Sequence, residues 1–335
     1  MDLIRRAGTF VGSHMPIVVP CCVVLGVLFP QVFSVLKPAV TPLFAIITFQ
    51  GSLNTSLRQI VRTFRHPSEL LAILAVSIVV MPVLARLAGG LFFSDFEIVA
   101  GIVIEYSIPV AVVSFMWIDM YHGNASLGLA AILVSTVLAP VTLPITIQLL
   151  MGTAVQVDVL SMVKDLALMV AVPAVAGVAV NEFTGGWGHE TLSPRIAPVC
   201  RLLAVFVITC NSTGMSAYVL SFDPMVLQAA LFILVFACFG FALGLVVACF
   251  MRVPPADLYS MVFAVGLRNI SSGAVIAAEF FPGTAIIPVM MGTLFQQVLA
   301  AVVSAVLHHL MAEERERGRK RVLMARFLQR REHER

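Results

Sequence analysis

Charge is scarce in this sequence. Asp, Glu, Lys and Arg make up 12% of the 335 residues, whereas 60% of the residues are hydrophobic. The mean hydropathy is +1.01. A soluble globular chain carries about 25% charged residues, so the composition excludes an ordinary water-soluble domain. It predicts a protein whose surface contacts mainly lipid.

Sequence motifs of several function classes are also missing. The chain contains neither HExxH nor GxSxG, and no pair of aspartates on adjoining apolar stretches, so an intramembrane enzyme is disfavoured. Its six cysteines show no CxxC spacing, and nearly all fall within apolar stretches, where cysteine packs as a small hydrophobic side chain. We therefore expect no cofactor, no bound metal and no nucleic-acid partner.

Ten apolar stretches each approach the roughly 20 residues that a helix needs to cross the hydrocarbon core of a membrane. They are residues 15–30, 36–52, 68–91, 97–120, 125–150, 159–181, 196–216, 225–251, 258–279 and 284–311. Arg5 and Arg6 precede the first stretch, but no small-residue cleavage site accompanies it, so we expect this stretch to be retained as a span.

The Lys and Arg residues between the stretches are distributed unevenly. Eight fall at one set of ends and three at the other. The eight are Arg5, Arg6, Arg58, Arg62, Arg65, Arg195, Arg201 and Arg252, and the three are Lys37, Arg86 and Lys164. By the positive-inside rule both ends of the chain lie in the cytoplasm, as an even number of spans requires. We expect a multi-pass plasma-membrane protein of the bacterial inner-membrane type.

One further charge, Arg268, lies in the middle of the stretch 258–279. An arginine at bilayer depth costs about 3 kcal/mol or more, so it usually has a function. The neighbouring Gly266, Asn269, Ser271 and Ser272 are poor helix formers and predict an interruption of the helix. A charge beside exposed main chain at membrane depth is typical of the solute site of a transporter.

The stretch 97–120 contains a second predicted interruption. Pro109 lacks a main-chain donor and clashes with the preceding turn, and Glu105 and Ser114 lie on either side of it. The two interrupted stretches occupy corresponding positions in two sets of five spans, which favours an inverted repeat. We therefore predict an all-α integral membrane protein of ten helices. Its predicted domains are a five-helix repeat at 1–155, an inverted repeat at 156–311, and a charged cytoplasmic tail at 312–335.

The tail carries nine basic and five acidic residues. It is either solvated or lies on anionic lipid as a basic helix. Neither alternative bears on the solute site.

At both interruptions the chain resembles the bile acid:sodium symporter family. The matching segments are Pro109-Val-Ala-Val-Val-Ser114, His122-Gly123-Asn124, residues 134–140, Val265-Gly-Leu-Arg-Asn269 and Met81-Pro82. The resemblance implies a core domain of spans 3–5 and 8–10 and a panel domain of spans 1, 2, 6 and 7. It also implies that the broken spans 4 and 9 cross near the membrane centre. The solute would bind between core and panel and be moved by alternating access.

The same resemblance implies two sodium sites behind the crossover, and here the sequence departs from the family pattern. One serine ligand is kept as Ser114, but most other ligand positions have lost their oxygen-bearing side chains or carry other groups. They are Ser77, Phe115, Gly128, Ile132, Ala264 and Arg268. Arg268 stands where the family has a glutamine, and a guanidinium repels a cation. We therefore expect the chain not to use sodium as the family does.

Several residues are candidates for the solute and coupling sites. Arg268 either binds an anionic solute through its planar fork or bonds exposed carbonyls at the crossover. Glu105 is paired with Arg268, faces a polar cavity, or is protonated and couples transport to protons. Asn269, Ser271 and Ser272 either contact solute or only satisfy free main-chain groups.

Polar residues of other spans are expected around the cleft. Thr48, Gln50, Asn54 and Asn211 either line it or bond between helices. Gln296 and Gln297 in the last span are expected to support the crossover from the core.

The leading functional hypothesis is a secondary transporter for a small organic anion, sodium-independent, acting as a uniporter or with protons. The alternatives are a sodium-coupled symporter with relocated ligands, an exporter of a metalloid or other neutral solute, and a non-transporting membrane sensor. Arsenite permeases of the same superfamily use a reactive cysteine in the fourth span. No cysteine lies between Asp95 and Gly123, which counts against the second alternative.

Overall fold

The structure is a computed structural model. It describes residues 2–56, 63, 67–152, 159–221, 223–281, 283–296, 298–307 and 309–310. The predicted tail and the predicted boundary between the two repeats lie outside the described residues. Those residues are almost entirely helical and form no strand; one isolated β-bridge joins two interruptions.

The helices follow the apolar stretches closely. In chain order they are α1 (Asp2–Ser13), α2 (Met15–Leu28), α3 (Pro30–Ser52), α4 (Ser68–Phe92), α5 (Phe96–Ser107), α6 (Ser114–Met120), α7 (Ala125–Met151), α8 (Leu160–Phe183), α9 (Gly188–Leu220), α10 (Pro224–Met251), α11 (Pro255–Gly266), α12 (Ile270–Phe280), α13 (Gly283–Gln296) and α14 (Val298–Leu307).

Six of the described helices are long and apolar enough to cross a membrane alone: α3, α4, α7, α8, α9 and α10. The bent pairs α1–α2 and α13–α14 raise this number to 8 if each pair is one span. The expectation was ten. The difference corresponds to the two interrupted stretches, which form α5–α6 and α11–α12, because neither contains one continuous helix of spanning length.

Three of the long helices contain a π-helical turn, one of them at the start of α9 over Gly188–Leu192. Val76–Val80 forms such a turn in α4, and Ala167–Ala171 forms one in α8. Pro82 and Pro173 follow these turns by two residues. A proline has no main-chain N–H and cannot donate a hydrogen bond within the helix. A π turn shifts the main-chain hydrogen bonds before it by one residue. A π turn followed by a proline therefore leaves carbonyl groups without a helical donor inside an apolar span.

Apart from the packing of α7 against α8, contacts between helices divide most of the chain into two groups. The first group consists of α1, α2, α3, α8 and α9, which pack against one another. The second group consists of α4, α5, α6, α7, α10 and α11. α12 contacts α5 of the second group and both α3 and α9 of the first, so it lies where the groups meet.

Two polar contacts connect the starts of the interrupted helices α5 and α11 to neighbouring helices. Glu97, in the first turn of α5, accepts from both the main-chain nitrogen and the hydroxyl of Thr284, each at 3.0 Å. Asp257, in the first turn of α11, accepts from Asn124 Nδ2 at 2.7 Å. The first contact joins the start of α5 to the start of α13, the helix that follows the second interruption. The second contact joins the start of α11 to the start of α7, the helix that follows the first interruption. The starts of α5 and α11 are thereby fixed to the segments that begin α13 and α7.

Candidate functional site

The two interruptions cross and bond to each other. Val110 and Arg268 form an antiparallel β-bridge. The main-chain nitrogen of Asn269 donates to the Pro109 carbonyl at 2.9 Å, and that of Ala111 donates to the Leu267 carbonyl at 3.1 Å. Main-chain groups released by one broken helix are therefore satisfied by the other, which is how irregular backbone is tolerated at membrane depth.

Polar side chains of the following helices complete the crossover. The main-chain nitrogen of Val110 donates to Ser135 Oγ at 3.1 Å, and that of Arg268 donates to Gln296 Oε1 at 3.2 Å. Gln296, one of the two residues expected to support the crossover from the last span, makes the second of these bonds. Gln297 lies outside the described residues.

Asn269 and Ser272 organise the start of α12. The side chain of Asn269 is the N-cap and accepts from Ser272 N at 3.4 Å, and Ser272 Oγ donates to the Asn269 carbonyl at 2.8 Å. Ser272 is fully buried, so its observed role is to satisfy main chain, one of the two roles expected for it. Ser271 instead borders an open cavity.

The remaining crossover residues lie at helix ends. Ser114 begins α6 and is buried, and its hydroxyl donates to the Ala111 carbonyl at 2.7 Å. Phe115 is half-buried and packs against the hydrophobic core. Gly266 ends α11, and a Cβ at this position would overlap the Phe241 ring, so the close approach of α10 requires glycine.

The Arg268 guanidinium is directed into the second group of helices. The side chain is 2% exposed, and Nη1 donates to the Ser77 carbonyl of α4 at 3.3 Å. Nε and Nη2 have no hydrogen-bond partner among the described residues. This geometry favours the bonding of an exposed carbonyl over direct contact between the guanidinium and a solute.

The Ser77 carbonyl is available because of the local structure of α4. In the π turn, Met81 N donates to the Val76 carbonyl, five residues back, instead of to Ser77. The next donor in this register would be residue 82, but that residue is proline and has no N–H. The π turn and Pro82 together leave this carbonyl without a helical partner, and Arg268 supplies the donor.

Glu105 and Tyr106 lie close to the guanidinium in the second group. Glu105 is 2% exposed and Tyr106 is 3% exposed. The two side chains and Arg268 interact electrostatically. Glu105 Oε2 and the Tyr106 hydroxyl have no hydrogen-bond partner among the described residues, so Oε2 makes no direct bond to the guanidinium.

A cavity of about 620 Å³ lies between the two groups of helices and is bordered by the crossover. Its apolar lining includes Phe44 and Ile47 of α3 and Trp117 of α6. Polar residues from both groups also line it: Thr48, Gln50, Ser52, Thr55, Thr136, Asn269, Ser271, Thr293 and Gln296. No Asp or Glu is among the lining residues that are described, and Arg268 is the one charged residue among them.

Two of the four residues predicted to line the cleft do so, namely Thr48 and Gln50. The amide of Gln50 is held by Ser193 Oγ at 3.0 Å, and Ser193 Oγ in turn donates to Asn54 Oδ1 at 2.9 Å. Asn54 therefore bonds to Ser193 of another helix and does not itself line the cavity. Asn211 is 1% exposed and is not among the lining residues.

Sequence reasoning missed two lining or supporting residues of α7. Ser135 holds the first interruption, and Thr136 lines the cavity with a buried hydroxyl that has no partner among the described residues. Adjacent hydroxyl residues in an apolar span are a weak signal, because Ser and Thr commonly bond to their own helix. The described residues contain no group of three or more His, Cys, Asp or Glu that could hold a metal ion.

The long apolar helices, the crossed interruptions with a buried charge, and the cavity between two helix groups define a class of protein. They are the features of a multi-pass membrane transporter, in which discontinuous helices form a site at membrane depth.

Comparison with known proteins gives the family. A model described as the Sodium Bile acid symporter family matches residues 41–222. The chain is 36% identical over 289 residues to the uncharacterized protein YbaS of Bacillus subtilis, covering 86% of this chain and 94% of the relative. It is 26% identical over 293 residues to the uncharacterized sodium-dependent transporter YocS of the same organism, covering 86% and 88%.

A more distant similarity extends to plants. The chain is 24% identical over 197 residues to the probable sodium/metabolite cotransporter BASS3 of rice chloroplasts, covering 58% of this chain and 47% of the relative. The chain belongs to the sodium bile acid symporter family, as the residues at the two interruptions predicted.

Proposed function

We propose that this protein is a secondary transporter that moves a small organic anion by alternating access without sodium. The observation that carries the proposal is the buried Arg268 guanidinium, fixed to Ser77 behind the crossover. Arginine stays charged under all physiological conditions, so the Arg268 side chain keeps its positive charge at membrane depth.

The cavity supports an anionic solute. Asn269 and Ser271, at the N-terminus of the eleven-residue α12, border it. The dipole of a helix favours negative charge at this end. Thr136 of α7 also borders the cavity, and no described carboxylate lines it to repel an anion. A cavity volume of about 620 Å³ suits a small metabolite.

The same charge argues against a bound sodium ion beside Ser77. Two unit charges 4 Å apart repel by about 4 kcal/mol at an effective dielectric of about 20. Sodium is a hard cation that needs several oxygen ligands, and the family positions now hold Gly128, Ile132 and Ala264. We infer that the guanidinium takes the place of the ion's charge.

Alternating access would arise from movement between the two groups of helices. We equate the first group of helices with the panel domain and the second group with the core domain. The bundle has ten spans when each interrupted pair of helices is counted as one span. Residue 257 lies 160 positions after residue 97, and residue 124 lies 160 positions before residue 284. The contact between residues 97 and 284 therefore corresponds to the contact between residues 257 and 124 in an inverted repeat. This correspondence supports an inverted repeat with its two-fold axis at the crossover.

The charge distribution supports a cytoplasmic location for both ends of the chain, in a bacterial plasma membrane. The cavity extends to Gly12 and Thr55, near the predicted cytoplasmic ends of the first two spans. The conformation would then be the inward-facing one.

One alternative keeps the fold and uses sodium through relocated ligands. The name of YocS as a sodium-dependent transporter favours it. The two are separated by flux into proteoliposomes of radiolabelled small carboxylates, with sodium or choline as the external cation. Equal flux in both supports our proposal, flux only in sodium supports the alternative, and a failure to transport any carboxylate contradicts both.

A further inference from the structure

Several buried polar atoms without partners are concentrated behind the crossover. They are Ser77 Oγ, Glu105 Oε2, Tyr106 Oη and Arg268 Nε and Nη2, none of which has a hydrogen-bond partner among the described residues. The four side chains are at most 3% exposed. Burying an unpaired polar group costs free energy, and several in one place call for a functional explanation.

Arg268 is the charged group that acts on Glu105. The helices packed against α5 are α4, α7, α12 and α13, together with α10, whose Phe236 ring contacts Tyr106. α7, α10 and α13 contain no charged residue. The charges of α4 are at its ends: Glu69 accepts from Ser68 and Arg86 donates to the Leu150 carbonyl. Glu279 of α12 is exposed.

Two further titratable side chains, a phenol and a thiol, are nearby. Tyr106 is adjacent on α5, and Cys238 of α10 interacts electrostatically with Tyr106. Neither changes the charge balance between Glu105 and Arg268. The charge of this cluster therefore depends on whether Glu105 carries a proton.

We propose that the Glu105 carboxylate is the binding site of a coupling proton, an inference that rests on the proposed anion transport. With Glu105 ionised, its charge and that of Arg268 cancel. With Glu105 protonated, the cluster carries one positive charge, which attracts an anion in the cavity that Arg268 also borders. Proton and anion then favour each other's binding to the same extent, as linkage requires.

The proposed step is balanced in charge and atoms. A proton from water on one face forms an O–H bond with Glu105 as a monoanion enters the cavity. After the two helix groups move, the anion leaves and the O–H bond breaks, returning the proton to water on the other face. One proton and one anion cross together, so no net charge moves.

The test is infrared difference spectroscopy on the purified full-length protein between acidic and alkaline pH, with no added solute. We expect a protonated-carboxyl C=O band that disappears as the pH rises. The band is lost in Glu105→Gln. It persists in the matched control Glu279→Gln, which removes an exposed carboxylate at the end of α12.

A second variant keeps the carboxyl group and changes its surroundings. A Cβ at Gly292 would overlap Glu105 Oε1, the flexible end of a side chain. Gly292→Ala therefore displaces the carboxyl group, and we expect the band to change in frequency while the protein remains folded. A frequency unchanged in Gly292→Ala would assign the band to another residue.

Three results overturn the proton site: no band in the wild type at any pH, a band of constant amplitude, or a band that survives Glu105→Gln. The proposed function fails separately, through sodium-dependent flux or absence of carboxylate flux. A pH-dependent Glu105 band in a protein whose flux requires sodium would retain the proton site and reject sodium independence.

Discussion

Arg268 Nη1 donates to the main-chain carbonyl of Ser77 at 3.3 Å, joining the second interruption to α4. The bond exists because the π turn and Pro82 leave that carbonyl without a helical donor. The positively charged guanidinium is thus held by a main-chain group of α4. Its position does not depend on the rotamer of any α4 side chain. This contact underlies the proposed loss of sodium dependence.

Thr136 is predicted to contact the solute. Its hydroxyl makes no hydrogen bond to a described residue, so Thr136→Val removes no intramolecular bond, and we expect the free energy of unfolding to change by less than about 0.5 kcal/mol. Transport of the carboxylate identified in proteoliposomes should fall about tenfold, equivalent to one lost hydrogen bond. Unchanged transport in Thr136→Val would remove this residue from the site.

The matched control for this prediction is Thr142→Val on the same helix. Thr142 donates to the Leu138 carbonyl and does not line the cavity. We expect its transport to equal that of the wild type.

The contact of Glu97 with Thr284 is predicted to stabilise the core. Glu97→Gln replaces the acceptor of two hydrogen bonds, and Asn124→Ala removes the donor to Asp257 at the opposite end together with the N-cap of α7. We expect each change to lower the free energy of unfolding by about 1–3 kcal/mol. Denaturant unfolding of the detergent-solubilised protein measures it.

The two losses should add in the double variant, because the contacts lie at opposite ends of the crossed helices and share no partner. Glu279→Gln, at an exposed position, serves as the control and should change little. Wild-type stability in both single variants would contradict the role given to these contacts.

Close packing of α5 is predicted to depend on Gly101. A Cβ at this position would overlap the Ala285 carbonyl, a main-chain atom that cannot rotate away. We expect Gly101→Ala to destabilise the protein by about 1–3 kcal/mol. Gly89→Ala, in α4 and facing the same helix, meets a side-chain carbon at 3.4 Å and should be tolerated. Equal stability of the two variants in thermal unfolding would refute the packing argument.

Particular residues show how far the sequence could predict this structure. Pro109 indicated the first interruption because proline cannot donate, and the small and polar residues around Arg268 indicated the second. Both interruptions are confirmed. The sequence could not reveal the free Ser77 carbonyl, because it depends on the register of a π turn, nor the unpartnered Thr136 hydroxyl, because hydroxyl groups usually bond to their own helix.

The number of spans shows another limit. Hydropathy marks 97–120 and 258–279 as stretches of spanning length, but it does not distinguish a continuous helix from two short ones separated by extended backbone. It also placed the first span at 15–30 without indicating that Asp2–Ser13 forms a separate helix, bent sharply from the next.

Replacing Arg268 with glutamine is predicted to make the protein responsive to sodium. The change removes the repelling charge and leaves the Ser77 carbonyl and an amide oxygen as ligands for a cation. Flux in sodium should then exceed flux in choline. Arg268→Lys keeps the charge and should stay insensitive to sodium. If Arg268→Gln transports as fast as the wild type and its flux is the same in sodium and choline, the guanidinium does not substitute for the ion.

The most direct measurement is the thermal stability of the purified wild-type protein during a sodium titration, with choline at matched ionic strength. A ligand that binds only the folded state adds about 2.7 kcal/mol of stability at a hundredfold excess over its Kd. We predict that the sodium and choline curves coincide, because Arg268 already supplies the positive charge. Stabilisation by sodium that choline does not reproduce would contradict the account and show that the protein retains an ion site.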